Sequence, residues 1–176
     1  MAIYALGDVV PNIDPAAYVH PDAVVIGDVT IGPESSIWPG AVLRGDHGKI
    51  QVGARTSIQD GTIIHTTEHW PTIVGDECVV GHLVHLEGCT VADRVLVGSG
   101  SIMLNRSSAA VRSVIGAAAL VPEDMEVPSG HLALGVPARA RPIPEPGVID
   151  GWIDYAVDFY CANAVRFAKE LRRLDR

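Results

Sequence analysis

Arg44, His65 and Glu87 stand at the second position of three six-residue units that lie one turn of a repeat apart. A guanidinium, an imidazole and a carboxylate therefore stack in one outward-facing column. Asp60 and His82 hold the third position of two further units and form a second column on an adjoining face, with Gln59 between the two columns in sequence. Imidazoles and carboxylates are the side chains that ligate divalent metals and carry protons near neutral pH. His85 and Glu87 flank the inward Leu86 and point to the same outer face, roughly 6.6 Å apart along a strand. Segments inserted between units add Asp46, His47, Glu68 and His69. Outward polar residues are ordinarily wetted surface; the clustering is what singles these out.

The element that positions them is a coil. Apolar residues recur every six places at Ile13, Val19, Val25, Ile31, Ile37 and Leu43, and the fourth residue after most of them is small, as at Ala17, Ala23, Ser35 and Ala41. After an insertion containing Gly45-Asp46-His47-Gly48 the frame resumes at Val52, Ile58 and Ile64. A second insertion, Thr66 to Pro71, precedes Val74, Val80 and Leu86; the frame then slips by one residue to Val91 and runs through Val97, Met103, Ala109, Ile115, Val121, Val127 and Ala133. A period of six fits neither the alternation of an ordinary strand nor the 3.6 of a helix. Three hexads at about 3.3 Å per residue close a triangular turn, stacked on the next at about 4.8 Å by parallel-strand hydrogen bonds. The fold is thus read as mainly β, a single-stranded left-handed parallel β-helix with a C-terminal α-helix; the left hand is an expectation for such coils and an exception to the crossover rule. Gly27, Gly32, Gly53, Gly75, Gly81, Gly98 and Gly116 are expected to supply turn conformations that side chains resist.

Beyond the Pro-rich stretch Gly135 to Gly147, Ile153, Val157, Tyr160, Ala164, Phe167, Leu171 and Leu174 alternate by four and three, the pattern of one amphipathic helix packed along a coil. This divides the chain into a β-helix with its Pro-rich tail over 1–147 and a helix over 148–176. The length of 176 residues suits one domain. A net charge of −8 disfavours nucleic acid and anionic lipid, both of which need a basic footprint. No run approaches the roughly 20 apolar residues of a membrane span, and the first residues lack a signal-peptide pattern, so a cytoplasmic location is expected. Cys78, Cys89 and Cys161 are odd in number, without Cys-x-x-Cys spacing, and are expected to be small buried residues. The partner is then a small molecule or another copy of the chain.

Five segments carry a resemblance: Ser36-Ile37-Trp38-Pro39-Gly40-Ala41-Val42-Leu43-Arg44-Gly45-Asp46, Ile58-Gln59-Asp60-Gly61 with His65 following, Gly81-His82, Gly88-Cys89-Thr90 and Gly135-Val136-Pro137-Ala138-Arg139. Over about Ile13 to Arg141 the chain resembles the γ-class carbonic anhydrase family and its relatives, some known as acyltransferases or ferripyochelin-binding proteins. The resemblance implies a homotrimer with one Zn2+ (or Fe2+ or Co2+) at each subunit interface, held by histidines of two neighbouring chains. His65 and His82 match ligand positions. Arg44, Asp46 and Asp60 match positions that make contacts across the trimer interface, Gln59 one that hydrogen-bonds solvent on the metal, and Glu68 a loop position where some members carry a proton-shuttling glutamate.

The chain departs from the family where Gly81-His82-Leu83-Val84-His85-Leu86-Glu87-Gly88-Cys89 puts Glu87 at the third ligand position. Three readings stay open: Glu87 is itself the ligand, since a carboxylate can complete a two-histidine zinc site with an open fourth position; His85 contributes instead; or the metal is lost and Glu87 pairs with Arg44 or a histidine. Three functions follow. The first is a metal-dependent, carbonic anhydrase-like lyase that hydrates CO2 or hydrolyses a related carbonyl substrate, weakened because a carboxylate ligand makes the site one unit more negative. The second is an acyltransferase or thioesterase on the same coil, and the third is a non-catalytic trimeric scaffold.

Overall fold

A computed structural model describes residues 2–174 and shows a parallel β-solenoid of about seven turns, with the left-handed winding expected, closed by one C-terminal helix. The hexads become three stacked columns. On one face Val19 pairs with Ile37, then Ile58, Val80, Val97, Ile115 and Ala133 follow in register. A second face stacks Val25, Leu43, Ile64, Leu86, Met103 and Val121. The third stacks Ile13, Ile31, Val52, Val74, Val91, Ala109 and Val127. All but the partly buried Ile13 lie in one continuous buried core, which is the dominant source of stability. The far end of the coil is finished by the antiparallel pair His131–Leu134 and Arg139–Pro142.

Glycine plays a different part from the one expected. Most left-handed corners fall three residues before an inward aliphatic, and among the described residues nine non-glycine side chains occupy such positive-φ positions, Arg55, Glu77, Arg94 and Arg112 among them. Of the seven glycines expected at turns only Gly27 has positive φ; a Cβ on Gly32, Gly53 or Gly98 would instead meet backbone of the next rung at 2.5–2.7 Å. Those glycines permit close approach between rungs.

The first insertion is also not a loop. Val42–Val52 is one continuous strand whose register against Val24–Ile31 shifts between Gly27 and Val29, so the extra residues form a bulge. Gly27 and Gly45 face each other there, and a Cβ on Gly27 would stand 2.3 Å from the carbonyl oxygen of Gly45. The bulge brings in Val29 and Ile50 as further buried aliphatics.

The helix spans Pro146–Glu170, with proline in its first turn, and ends at Leu171 in an extended conformation. Leu174, read from its spacing as helical, lies beyond that end, and the helix expected over 148–176 has its last two residues outside the described range. Ile153 and Val157 pack with Val79 and Leu96 of the coil, and Trp38 meets Tyr160 and Phe167 edge-on at 5.7 and 5.1 Å. The Trp38 indole N–H lies 3.0 Å from both Ser36 Oγ and Ser57 Oγ. Along one corner Arg55, Arg94 and Arg112 meet Asp158, Asp154 and Asp150 at 2.7, 2.7 and 3.6 Å. The descending aspartates set the helix antiparallel to the rising corner. Such exposed pairs contribute below about 1 kcal/mol each, whereas burying an aromatic contributes several times that.

Cys78 and Cys89 are buried as expected, and burial pushes both thiols up to about 12. Cys161 is only half-buried, on the helix surface, because its position falls at the margin of the packed stripe. Two outcomes follow. Trp38→Ala should cost about 3–5 kcal/mol in a denaturant titration, and Asp154→Ala under about 1. At pH 8 a thiol reagent should modify Cys161 alone in the folded protein and all three cysteines once it is unfolded. Because a raised thiol pKa means that the folded state keeps a proton which the unfolded chain releases from about pH 9, stability should fall with alkalinity above that point.

Candidate functional site

The first column forms as the hexads require: Arg44 is in register with His65, and His65 with Glu87. Parallel ladders hold these backbones about 4.8 Å apart, so side chains distant in sequence reach one another directly. His65 Nδ1 lies 3.2 Å from Glu87 Oε1, and His65 Nε2 lies 3.0 Å from Asp46 Oδ1. Arg44 is ion-paired with Asp46, not with Glu87. The second oxygen of Glu87 is taken by His85, whose Nε2 lies 3.1 Å from Oε2. His47 approaches Asp46 at 3.8 Å from a more exposed position.

Asp46 reaches His65 because the bulge after Gly45 keeps it on the strand, two residues beyond Arg44. Read as a loop residue, it had no fixed direction. Partial burial raises the Asp46 carboxyl, but hydrogen bonds from His65 and Arg44 outweigh that and hold it below the usual carboxylate value. Burial likewise raises Glu87, and bonds from His85 and His65 bring it below the usual value. Both carboxylates are therefore ionised and accept only.

A neutral imidazole donates from one nitrogen, so His65 cannot donate to two ionised carboxylates at once. One of its two contacts needs a second proton or a cation between nitrogen and oxygen. Two donors bound to one tetrahedral zinc at about 2.0–2.1 Å lie about 3.3 Å apart, the separation found between His65 Nδ1 and Glu87 Oε1 within about 0.1 Å. The remaining nitrogen on Asp46 is the carboxylate support that metal-bound histidines ordinarily have.

The second column is built alike. His82 Nδ1 lies 3.0 Å from Asp60 Oδ2, one rung below, which leaves Nε2 as the donor His82 can offer. Both side chains are about half exposed. The structure does not bring this pair to His65: the two columns lie on different faces, and among the described residues no three His, Cys, Asp or Glu side chains of one chain converge as a metal-binding set. Gln59, next to Asp60, is buried. Glu68 and His69 are exposed on the loop after His65, where Trp70 stacks under the Arg106 guanidinium at 4.4 Å. Leu83, next to His82, is 71% exposed and takes a left-handed corner usually left to glycine.

Residues 11–45 match the family of bacterial transferase hexapeptide repeats (six repeats). Gamma carbonic anhydrase 1, mitochondrial, of Arabidopsis thaliana is 42% identical over 138 residues, 75% of this chain and 50% of the plant protein, so the chain spans about half that relative's length. Protein YrdA of Escherichia coli K12 is 41% identical over 144 residues, 77% of this chain and 78% of its own. Among solved structures, a hexapeptide transferase family protein of Anaplasma phagocytophilum superposes with a TM-score of 0.89 at 35% identity, covering 94% of this chain and 98% of that one. A putative acetyltransferase of Bacillus cereus gives 0.86 at 30%, covering 93% and 97%. With the solenoid, its stacked site columns and these identities together, the chain belongs to the γ-carbonic-anhydrase-like family of hexapeptide-repeat proteins.

Proposed function

We propose that this protein is a metal-dependent lyase that hydrates CO2, or hydrolyses a closely related carbonyl substrate, at sites shared between the copies of a homotrimer. The observation that carries this reading is His65, held by Asp46 on one nitrogen and facing Glu87 Oε1 across 3.2 Å with the other. That gap fits a divalent cation such as Zn2+, with Fe2+ and Co2+ as the other candidates. His65 and Glu87 would supply two donors from one chain and His82 Nε2 of a neighbouring copy the third, because one coil keeps its two columns on different faces. Exposed apolar Ile63, Leu83 and Ile102 around the columns suit burial against that neighbour.

When bound, such a cation acts as a Lewis acid and brings the pKa of water toward neutrality. The chain's own residues do the rest. Arg44 fixes Asp46, Asp46 fixes the tautomer and plane of His65, and Asp60 does the same for His82. Glu87 donates an anionic oxygen where the family has a neutral imidazole, which lowers the net positive charge of the site and with it the acidity gained by water. Glu68 sits on the adjacent exposed loop, open to solvent, where a carboxylate can pass protons between the site and buffer.

Protein purified without chelator should contain about one metal ion per chain by elemental analysis, sediment at three times 18.6 kDa, and hydrate CO2 in a stopped-flow indicator assay. His65→Ala and His82→Ala should each abolish metal uptake and hydration together. Glu87→His should raise hydration at pH 7 by restoring a neutral ligand. Sub-stoichiometric metal with background hydration in the wild type, and no gain in Glu87→His, would sink the reading in favour of a scaffold; a coenzyme A-dependent rise in melting temperature with those results would point to acyl transfer.

A further inference from the structure

His85 belongs to neither the motif nor the metal-facing pair, yet it makes a direct hydrogen bond within the cluster. Its Nε2 lies 3.1 Å from Glu87 Oε2, the oxygen turned away from His65. In the rungs below and above, its register partners are Ile63 and Ile102, whose side chains offer no polar atom. Its own column thus gives it no acceptor, and Glu87, two residues along the same strand, does. A carboxylate oxygen accepts, so the Nε2 of His85 is the donor in this bond.

We propose that His85 is a positioning residue for Glu87: by holding Oε2, it makes the carboxylate present the single oxygen Oε1 beside His65 Nδ1. This rests on the metal-centre reading above. A free carboxylate on a three-bond side chain has two equivalent oxygens and several rotamers, so it can grip a divalent cation with both oxygens or swing away from it. With Oε2 tied, one rotamer and one oxygen remain. The same hydrogen bond draws charge from the carboxylate and so offsets part of the negative charge that glutamate adds at this position. His85 and Glu87 together then do what one histidine does elsewhere in the family: the glutamate provides the donor atom and the histidine provides its direction.

The test uses cobalt(II) as probe, read by its visible absorption and by competition with a chelator, on the full-length wild type, His85→Ala, His85→Gln and Glu87→Ala. His85→Ala is expected to weaken cobalt binding about 10- to 100-fold and to change the visible band, because the second oxygen becomes available to the metal. His85→Gln, whose amide N–H can donate to Oε2, should keep most of the affinity and the wild-type band. Metal-free melting temperatures should be equal for the wild type and both His85 variants. The proposal is overturned if His85→Ala binds cobalt as the wild type does, or if His85→Gln loses as much as His85→Ala. A loss in His85→Ala as large as in Glu87→Ala overturns it too, since His85 would then be a ligand itself. Failure of the wild type to take up cobalt removes the metal-centre reading and this proposal with it, and is distinguishable from the other outcomes because Glu87→Ala would then change nothing.

Discussion

Each turn of the coil satisfies its backbone hydrogen bonds through the turns above and below it, and every other feature answers to that constraint. A parallel strand cannot pair with itself, so a rung alone would leave a row of donors and acceptors bare. Stacking fixes which residues stand above one another, and the inward columns then need an aliphatic at each level. It also fixes where glycine is compulsory. Gly32 and Gly53 lie where the backbone of the next rung leaves no room for a Cβ, whereas the left-handed corners tolerate arginine and glutamate, because a corner side chain points to solvent. Each such corner costs roughly 1–2 kcal/mol relative to glycine. Ion pairs between corner arginines and the helix aspartates offset only part of that cost, so the continuous buried core carries the balance.

The same stacking makes the site rigid without any packed pocket around it. Arg44, His65 and Glu87 are separated by 21 and 22 residues, yet their backbones are joined by adjacent ladders. A side chain held on such a ladder has little freedom beyond its own rotamers, and the cluster removes most of what remains. Asp46 is held by Arg44, His65 by Asp46, and Glu87 by His65 and His85. Each ring nitrogen and carboxylate oxygen of the His65–Glu87 pair thus has a defined neighbour. The exception is chemical, since His65 faces two acceptors with one proton to give when neutral.

Much of this was legible in the sequence. The hexads announced the three inward columns, and the column of Arg44, His65 and Glu87 followed from counting alone. What could not be read was whatever depended on an extra residue finding a place in space. Gly45 to Gly48 broke the six-residue frame and read as an interruption, whereas the chain absorbs it as a bulge inside a strand, the step that carries Asp46 to His65. The aspartates 150, 154 and 158 repeat every four residues and the arginines 94 and 112 every eighteen, but nothing in either spacing says that a helix descends along that corner. The oxygen of Glu87 on which His85 settles is likewise a matter of side-chain direction, which periodicity does not encode. Trp38 stood in the family motif, but its role as the aromatic seat of Tyr160 and Phe167 required the helix to be in place.

The two histidine columns share one construction, an imidazole with one nitrogen held by a carboxylate of the same coil and the other left to act. A solenoid cannot fold back to bring two of its own faces together, because bending it would break the ladders that define it. If both imidazoles serve one cation, the faces must come from different copies, and association becomes a condition of the chemistry. Leu83 bears on this point. It occupies a strained corner where Gly40 and Gly61 stand in the rungs below, and it is more exposed there than almost any other aliphatic of the coil. Within its own chain such a leucine covers Gly61 and leaves most of its surface bare. Buried against a second coil it would contribute about 1.5–3 kcal/mol, enough to offset the backbone strain, and it would do so one residue away from the histidine that the neighbouring face lacks.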